Sequence, residues 1–194
     1  MNLVGVRKSY PFLQGIEGFA PFIWGFAEAT LFFVVPDVLL SWIALNQPRR
    51  AWIACGWAVG GALAGGTVMY AWGAVDVDSA LAALEHVPAI NRTMCDAVGE
   101  QFHQQGISAI FLGPISGRPY KIYAVQAGAG RISLVLFLLA SVPARLVRFA
   151  FVTGLTILIL RLSPRTPVFI RRMVHIVLWA IFYGWYFWRF GMTN

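Results

Sequence analysis

Charge is what this sequence has least of. Only 12% of its 194 residues are Asp, Glu, Lys or Arg, against roughly 25% in a water-soluble domain. With 59% hydrophobic residues and a mean hydropathy of +0.69, the chain lacks the polar coat that water demands. It reads as a single-domain, all-α integral membrane protein. Cysteine is nearly absent too. Cys55 and Cys95 stand in different kinds of segment with no metal-ligand spacing, and read as two unpaired small residues.

Other absences narrow the function. There is no His-Glu-x-x-His, P-loop, Gly-x-Ser-x-Gly or Cys-x-x-Cys pattern, and no residue reads as a covalent nucleophile, so neither an enzyme nor a cofactor is expected. Asp96, Glu100 and His103 fall on one helix face, which reads as a solvated surface and not as a metal site. The net charge of +7 forms no basic stripe with interleaved aromatics, which argues against nucleic acid. Arg7 and Lys8 precede a long apolar stretch without a small-residue cleavage site, so the first apolar segment is expected to be retained.

The apolar segments are of two kinds. Residues 51–75 carry no charge, enough to cross a bilayer, and hold Gly56, Gly60, Gly61, Gly65 and Gly66, which let another helix approach closely. Residues 132–160 and 168–190 are further spanning candidates, the last rich in the Trp and Tyr that suit a membrane interface. Residues 76–105 contain five of the eight acids. Asp78 is placed to cap a helix over 79–86, and Ile90, Met94, Val98 and Phe102 recur at an amphipathic spacing, so this insert is expected to lie at the interface.

Two segments are interrupted. "FAEATLFFVVPDVLLSWIAL" (Phe26 to Leu45) places Pro36 and two carboxylates, Glu28 and Asp37, inside a greasy run. Proline removes a backbone donor and clashes with the turn before it, so a helix should end or kink near Val35. Residues 17–46 are therefore read as a re-entrant hairpin following a short basic arm. "GISAIFLGPISGRPYKIYAVQAGAG" (residues 106–130) reads as a second hairpin with Gly117-Arg118-Pro119 at its tip. The order hairpin, span, insert, hairpin, span, final span is that of an inverted repeat, the usual pointer to a transport site. Arg49, Arg50, Arg161, Arg165, Arg171 and Arg172 join Arg7 and Lys8 on one side of such a topology, expected to be cytoplasmic; Arg131 is the exception.

Burying one charge at mid-bilayer costs about 2.5–3.5 kcal/mol. Arg145 and Arg148 share a face of one apolar segment, so they call for partners. Glu28 and Asp37 are the available counter-charges, with Arg118 and Lys121 near the second tip. Two readings stay open: an ion-paired lock between the halves, or a polar site reached by water from alternate sides. Four cations against two acids suit an anion, and arginine's forked donors suit phosphate.

"EATLFFVVPD", "GRPYKIYAVQAG" and "FLLASVPARLVRF", spread over residues 28–150, resemble the DedA family of SNARE-associated or VTT-domain membrane proteins. Where that family often carries an arginine ahead of the tip proline, this chain has Pro114 and Ser116. The resemblance implies two facing re-entrant hairpins in an inner-membrane protein. It also implies movement of phospholipid or polyprenyl phosphate between leaflets, with or without proton coupling. In that scheme Arg118, Lys121, Arg145 and Arg148 hold an anionic headgroup, Glu28 and Asp37 pair or take up protons, and Pro36 and Pro119 break the hairpins. Membrane lipids are the expected partners, with a homo-oligomer compatible. Rival readings are an ion-coupled transporter of a small solute and a non-transporting assembly factor that docks through the glycine face. The topology is testable: cysteines introduced at Ser9, Gln47 and Ser163 should react with an impermeant reagent from one face only, and one at Ser79 from the other.

Overall fold

The computed structural model describes residues 11–191, so the arm carrying Arg7, Lys8 and Ser9 lies outside the described residues. The described chain is all helical, with no strand. Its helices are α1 (Pro11–Ala29), α2 (Asp37–Asn46), α3 (Pro48–Val75), α4 (Val77–Glu85), α5 (Arg92–Gln105), α6 (Gly113–Ser116), α7 (Tyr120–Ala129), α8 (Leu134–Leu162) and α9 (Val168–Gly191), with a 3-10 helix at Gly106–Phe111 before α6. Three of these, α3, α8 and α9, are long and apolar enough to cross a membrane. At 1.5 Å per residue they are roughly 36–44 Å long, more than the ~30 Å hydrocarbon core.

The first interruption falls earlier than the sequence suggested. The helix stops at Ala29, not near Val35, and the described residues from Pro11 to Ile16, where a basic arm was expected, are already helical. Thr30 explains the early stop: its hydroxyl donates to the carbonyls of Ala27 (2.9 Å) and Phe26 (3.1 Å), competing with the helical ladder. Beyond it, the β-branched pair Val34-Val35 ahead of Pro36 disfavours a restart before Asp37. The second interruption departs further from expectation. Only its second limb is a regular ten-residue helix, α7; the first is the 3-10 segment and the four-residue α6. Gly113-Pro114 accounts for this, because proline cannot extend a helix entering from its N-terminal side without losing a bond. In the insert, Asp76 rather than Asp78 caps α4, accepting from the Ser79 amide at 3.0 Å, and the helix starts at Val77.

Contacts fix the directions. Cys55 and Thr153 meet at 3.2 Å, and the Tyr70 hydroxyl reaches the Ile132 carbonyl, so α3 and α8 are antiparallel. Along α3, Ala58 lies against Gly25, Gly61 against Phe22 and Phe26, and Gly65 against Phe26 and Ala29, so α1 runs the same way as α3. Leu40 clusters with Cys55 and Phe149, and Ala44 with Ala51 and Ile157, so α2 runs back along α3 and parallel to α8. The chain therefore reverses at residues 30–36. Gly66 against Tyr120 and Gly73 against Val125 make α7 parallel to α3. Each ten-residue helix thus follows the long helix of the other half.

The glycines of α3 are the sites of closest approach, though not all of those singled out. A Cβ on Gly61 would meet the Phe22 carbonyl, and one on Gly73 the Val125 backbone, whereas Gly56 faces open space and Gly60 only the edge of the Phe22 ring. The docking face expected for a partner is occupied by α1 and α7 of the same chain. At its centre α7 is buried almost throughout, and the largest apolar cluster gathers around it from α3, α4, α5 and α8. Outside, the exposed surface of α3, α8 and α9 is lined with Val, Leu, Ile, Phe and Trp. Gly61→Ala or Gly73→Ala should destabilise the protein by about 1–3 kcal/mol through forced backbone displacement. Gly56→Ala should be neutral or gain up to ~1 kcal/mol of helix propensity; thermal unfolding in detergent compares the three.

Candidate functional site

The two interruptions meet near the middle of the long helices, where Arg148 is the central residue of α8. A broken helix exposes backbone groups that water does not reach in an apolar medium, so each needs another partner. Side chains from three other elements supply them. Lys121 Nζ donates to the Phe32 carbonyl at 2.6 Å. Trp24 Nε1 donates to the Val34 carbonyl at 2.9 Å. The Val35 amide donates to the Tyr183 hydroxyl at 2.9 Å. Lys121, the second residue of α7, thereby joins the two tips directly.

Pro36 and Pro119 each stand immediately ahead of a ten-residue helix, α2 and α7, where a missing N–H costs no ladder bond. Gly117 at the second tip has φ +72°, a left-handed conformation that favours glycine. Asp37 opens α2, so its carboxylate faces a positive helix end. Glu28 is the penultimate residue of α1 and is 4% exposed.

All six charged residues singled out from the sequence converge here, but in two roles. Arg145, 2% exposed, forms a buried ion pair with Glu28, and its guanidinium lies 4.4 Å from the Tyr120 ring centre and 5.4 Å from that of Phe149. Tyr120 is itself held by its hydroxyl on Ser141 (2.9 Å) and by stacking on Phe137, which stacks on Tyr70. Arg148 Nη2 donates to Asp37 Oδ2 at 2.7 Å. Arg118 and Lys121 make no ion pair among the described residues. Arg118 Nη1 and Asp37 Oδ1 are buried without a hydrogen-bond partner.

A cavity of about 460 Å³ adjoins this cluster. Glu28, Asp37, Arg118, Lys121 and Arg148 line one side; Arg145 lies behind it and does not. Aromatic side chains of α9 line the other side, among them Trp179, Tyr183, Tyr186 and Phe190. The cavity runs from the tips toward Val87, Pro88 and Ile90 of the insert. At the opposite end, Ser41 closes the gap between α2 and α9 by contacts to His175 (2.9 Å) and Trp179 (3.2 Å). The aromatic wall was not foreseen as part of a site, although Trp179, Tyr183, Tyr186 and Phe190 recur at the spacing of one helix face.

Residues outside the cluster have plainer surroundings. Asp96 pairs with Arg92 at 3.4 Å on the exposed side of α5, and Arg92 also reaches Glu85 and Asp78. Among the described residues, no three His, Cys, Asp or Glu side chains gather as metal ligands. Burial pushes the Cys95 thiol up to about 11, so it stays protonated at neutral pH.

The fold and the site define an all-helical protein with three candidate membrane spans and a charged centre. No protein-family model matches the chain, and no solved structure matches it. An uncharacterized protein of Haemophilus influenzae is similar, 27% identical over 130 residues that cover 67% of each chain.

The pairing predicts a specific mutational pattern. Glu28→Gln leaves the Arg145 charge buried and unpaired, and should cost about 3–5 kcal/mol. Glu28→Gln combined with Arg145→Gln should recover a large part of that loss, a coupling that a double-mutant cycle on detergent unfolding measures. Equal losses that simply add would show that the two side chains do not depend on one another.

Proposed function

We propose that the protein moves an anionic lipid, a phospholipid or a polyprenyl phosphate, between the leaflets of a bacterial inner membrane. The observation that carries this reading is the cavity at the meeting of the two broken segments. Cationic and acidic groups line one side of it, and the aromatic face of a helix exposed toward the bilayer lines the other. A phosphate headgroup would enter against Arg118, Lys121 and Arg148 while its acyl or prenyl chain remains in lipid beyond α9. Three cations and two acids line the cavity and Arg145 stands behind them, so the empty site carries a positive excess that an anion relieves. The unpartnered donor of Arg118 is the group that headgroup would meet first.

In this reading the interrupted segments are re-entrant hairpins, each entering the bilayer to mid-depth. A ten-residue helix is roughly 15 Å long, half the hydrocarbon thickness, which supports that depth for α2 and α7. The two halves form an inverted repeat: α2 with α3 corresponds to α7 with α8, in opposite directions. Irregular backbone at that depth fits a wet cavity, as in transporters built from such repeats. The cavity reaches toward the acidic insert and is closed by Ser41, His175 and Trp179 at the other end, which corresponds to one of two alternating states. In this reading Glu28 and Asp37 pair with the cations of the empty site and release them as the headgroup binds.

Arg118 is a better probe than Arg145, because losing Arg145 strands Glu28 in the interior. In liposomes holding labelled phosphatidylglycerol or polyprenyl phosphate, Arg118→Ala should slow leaflet exchange by about 10–100-fold, the worth of one charge-assisted hydrogen bond of ~1.5–3 kcal/mol. Uptake of a soluble anion by the same protein, with lipid exchange at the protein-free rate, would replace this reading with that of a small-solute transporter.

A further inference from the structure

A second cavity, of about 540 Å³, lies at the arginine-rich end of the bundle. It opens where the α2–α3 corner meets the last turns of α8, and Asn46, Pro48, Arg49, Arg50, Ile157 and Arg161 are among its lining residues. None of the described residues lining it is acidic. Arg172 reaches the same rim, donating to Asn46 Oδ1 at 2.7 Å with its guanidinium 5.5 Å from the Trp42 ring centre. Arg50 is the third residue of α3, and the apolar cluster beside the cavity is the small one of Ala44, Ala51 and Ile157, apart from the charged centre. Arg50 stands twelve positions before Ala62 at mid-α3, roughly 18 Å along the helix.

The walls differ in character with depth. Three guanidinium groups surround the mouth, and the first turn of α3 adds positive potential of the same sign. Ile157 and Leu160 line the interior. One turn deeper on α3, Trp52 is half exposed and lies across Gly154 of α8, and Ile53 beside it is 65% exposed. A ligand suited to this surface carries a phosphate group at the level of the arginines and an apolar chain that continues down the α3–α8 face. Free phosphate satisfies the first requirement alone.

We infer that the pocket formed by Arg49, Arg50 and Arg161 at the α2–α3 corner is a standing binding site for the phosphate group of an anionic phospholipid. It is separate from the central cavity and does not rest on the translocation reading. Forked arginine donors match phosphate oxygens pairwise, and basic pockets between helices at a membrane surface favour anionic headgroups over zwitterionic ones. A bound lipid would bridge the α2–α3 corner to the end of α8 and hold together the end of the bundle at which Ser41 and His175 close the central cavity.

The test is native mass spectrometry of the whole protein released from nanodiscs of equal phosphatidylglycerol and phosphatidylcholine. The wild type should retain phosphatidylglycerol preferentially. Arg49→Gln with Arg161→Gln should weaken that preference roughly 30-fold, at about 1 kcal/mol per arginine. Each single variant, at an exposed position that does not threaten folding, should weaken it about fivefold. Arg165→Gln, an equal charge change on the neighbouring loop, should leave it intact. Unchanged retention by the single variants would overturn the inference, as would an equal loss from Arg165→Gln. Displacement of the lipid by millimolar inorganic phosphate alone would also overturn it, by assigning the pocket to the free anion.

Discussion

The buried pairing of Glu28 with Arg145 is the contact on which the rest of this structure turns. Either charge alone in an apolar interior would cost several kcal/mol, and their attraction offsets that cost only when both are held in place. Holding them requires α1 to end at Ala29 beside the middle of α8, and that ending requires the chain to break. The break in turn releases backbone groups at Phe32, Val34 and Val35, and these are satisfied from α7, α1 and α9. One ion pair therefore brings four elements into register. Tyr120 and Phe149, whose rings lie against the guanidinium, keep water from competing for it.

The polar centre and apolar exterior follow from the same physics. In lipid, apolar side chains gain nothing by being inside, and helices associate through close packing and interior polar contacts. The tightest contacts accordingly fall at glycine, where α1 and α7 lie against the backbone of α3, while the large aliphatic side chains face outward. In α9 the aromatics divide between the two: Tyr183 bonds to the break between α1 and α2, and Trp185 and Trp188 face the surroundings. The proposed transport path uses this division. Its charged lining belongs to the fixed centre, and its aromatic wall belongs to the helix least packed against the rest.

Much of this architecture was legible from residue order. A run of apolar residues long enough to cross, the two proline-containing interruptions, and the pairing of two acids with two arginines three positions apart all rest on local chemistry and simple charge balance. The boundaries were less legible. Thr30 ended α1 six residues before Pro36 because a side-chain hydroxyl competed for carbonyls, and nothing in the hydropathy pattern marks that competition. Asp76 displaced Asp78 as the cap of α4 because Val77 already has helical geometry. The first limb of the second interruption became a 3-10 turn, since Gly113-Pro114 left too few residues for a regular helix on that side.

Composition and spacing alone determined that the chain is an all-helical protein made for an apolar medium, with its few interior charges obliged to find one another. Those outcomes depend on the free energy of transferring single residues, which the sequence carries residue by residue. The tertiary structure decided which cation meets which acid, that Lys121 serves a carbonyl and not a carboxylate, and that Arg118 retains a donor without a partner. It also decided that aromatics from the last helix complete the cavity. These depend on distances between segments far apart in the chain, and such distances exist only once the helices have packed.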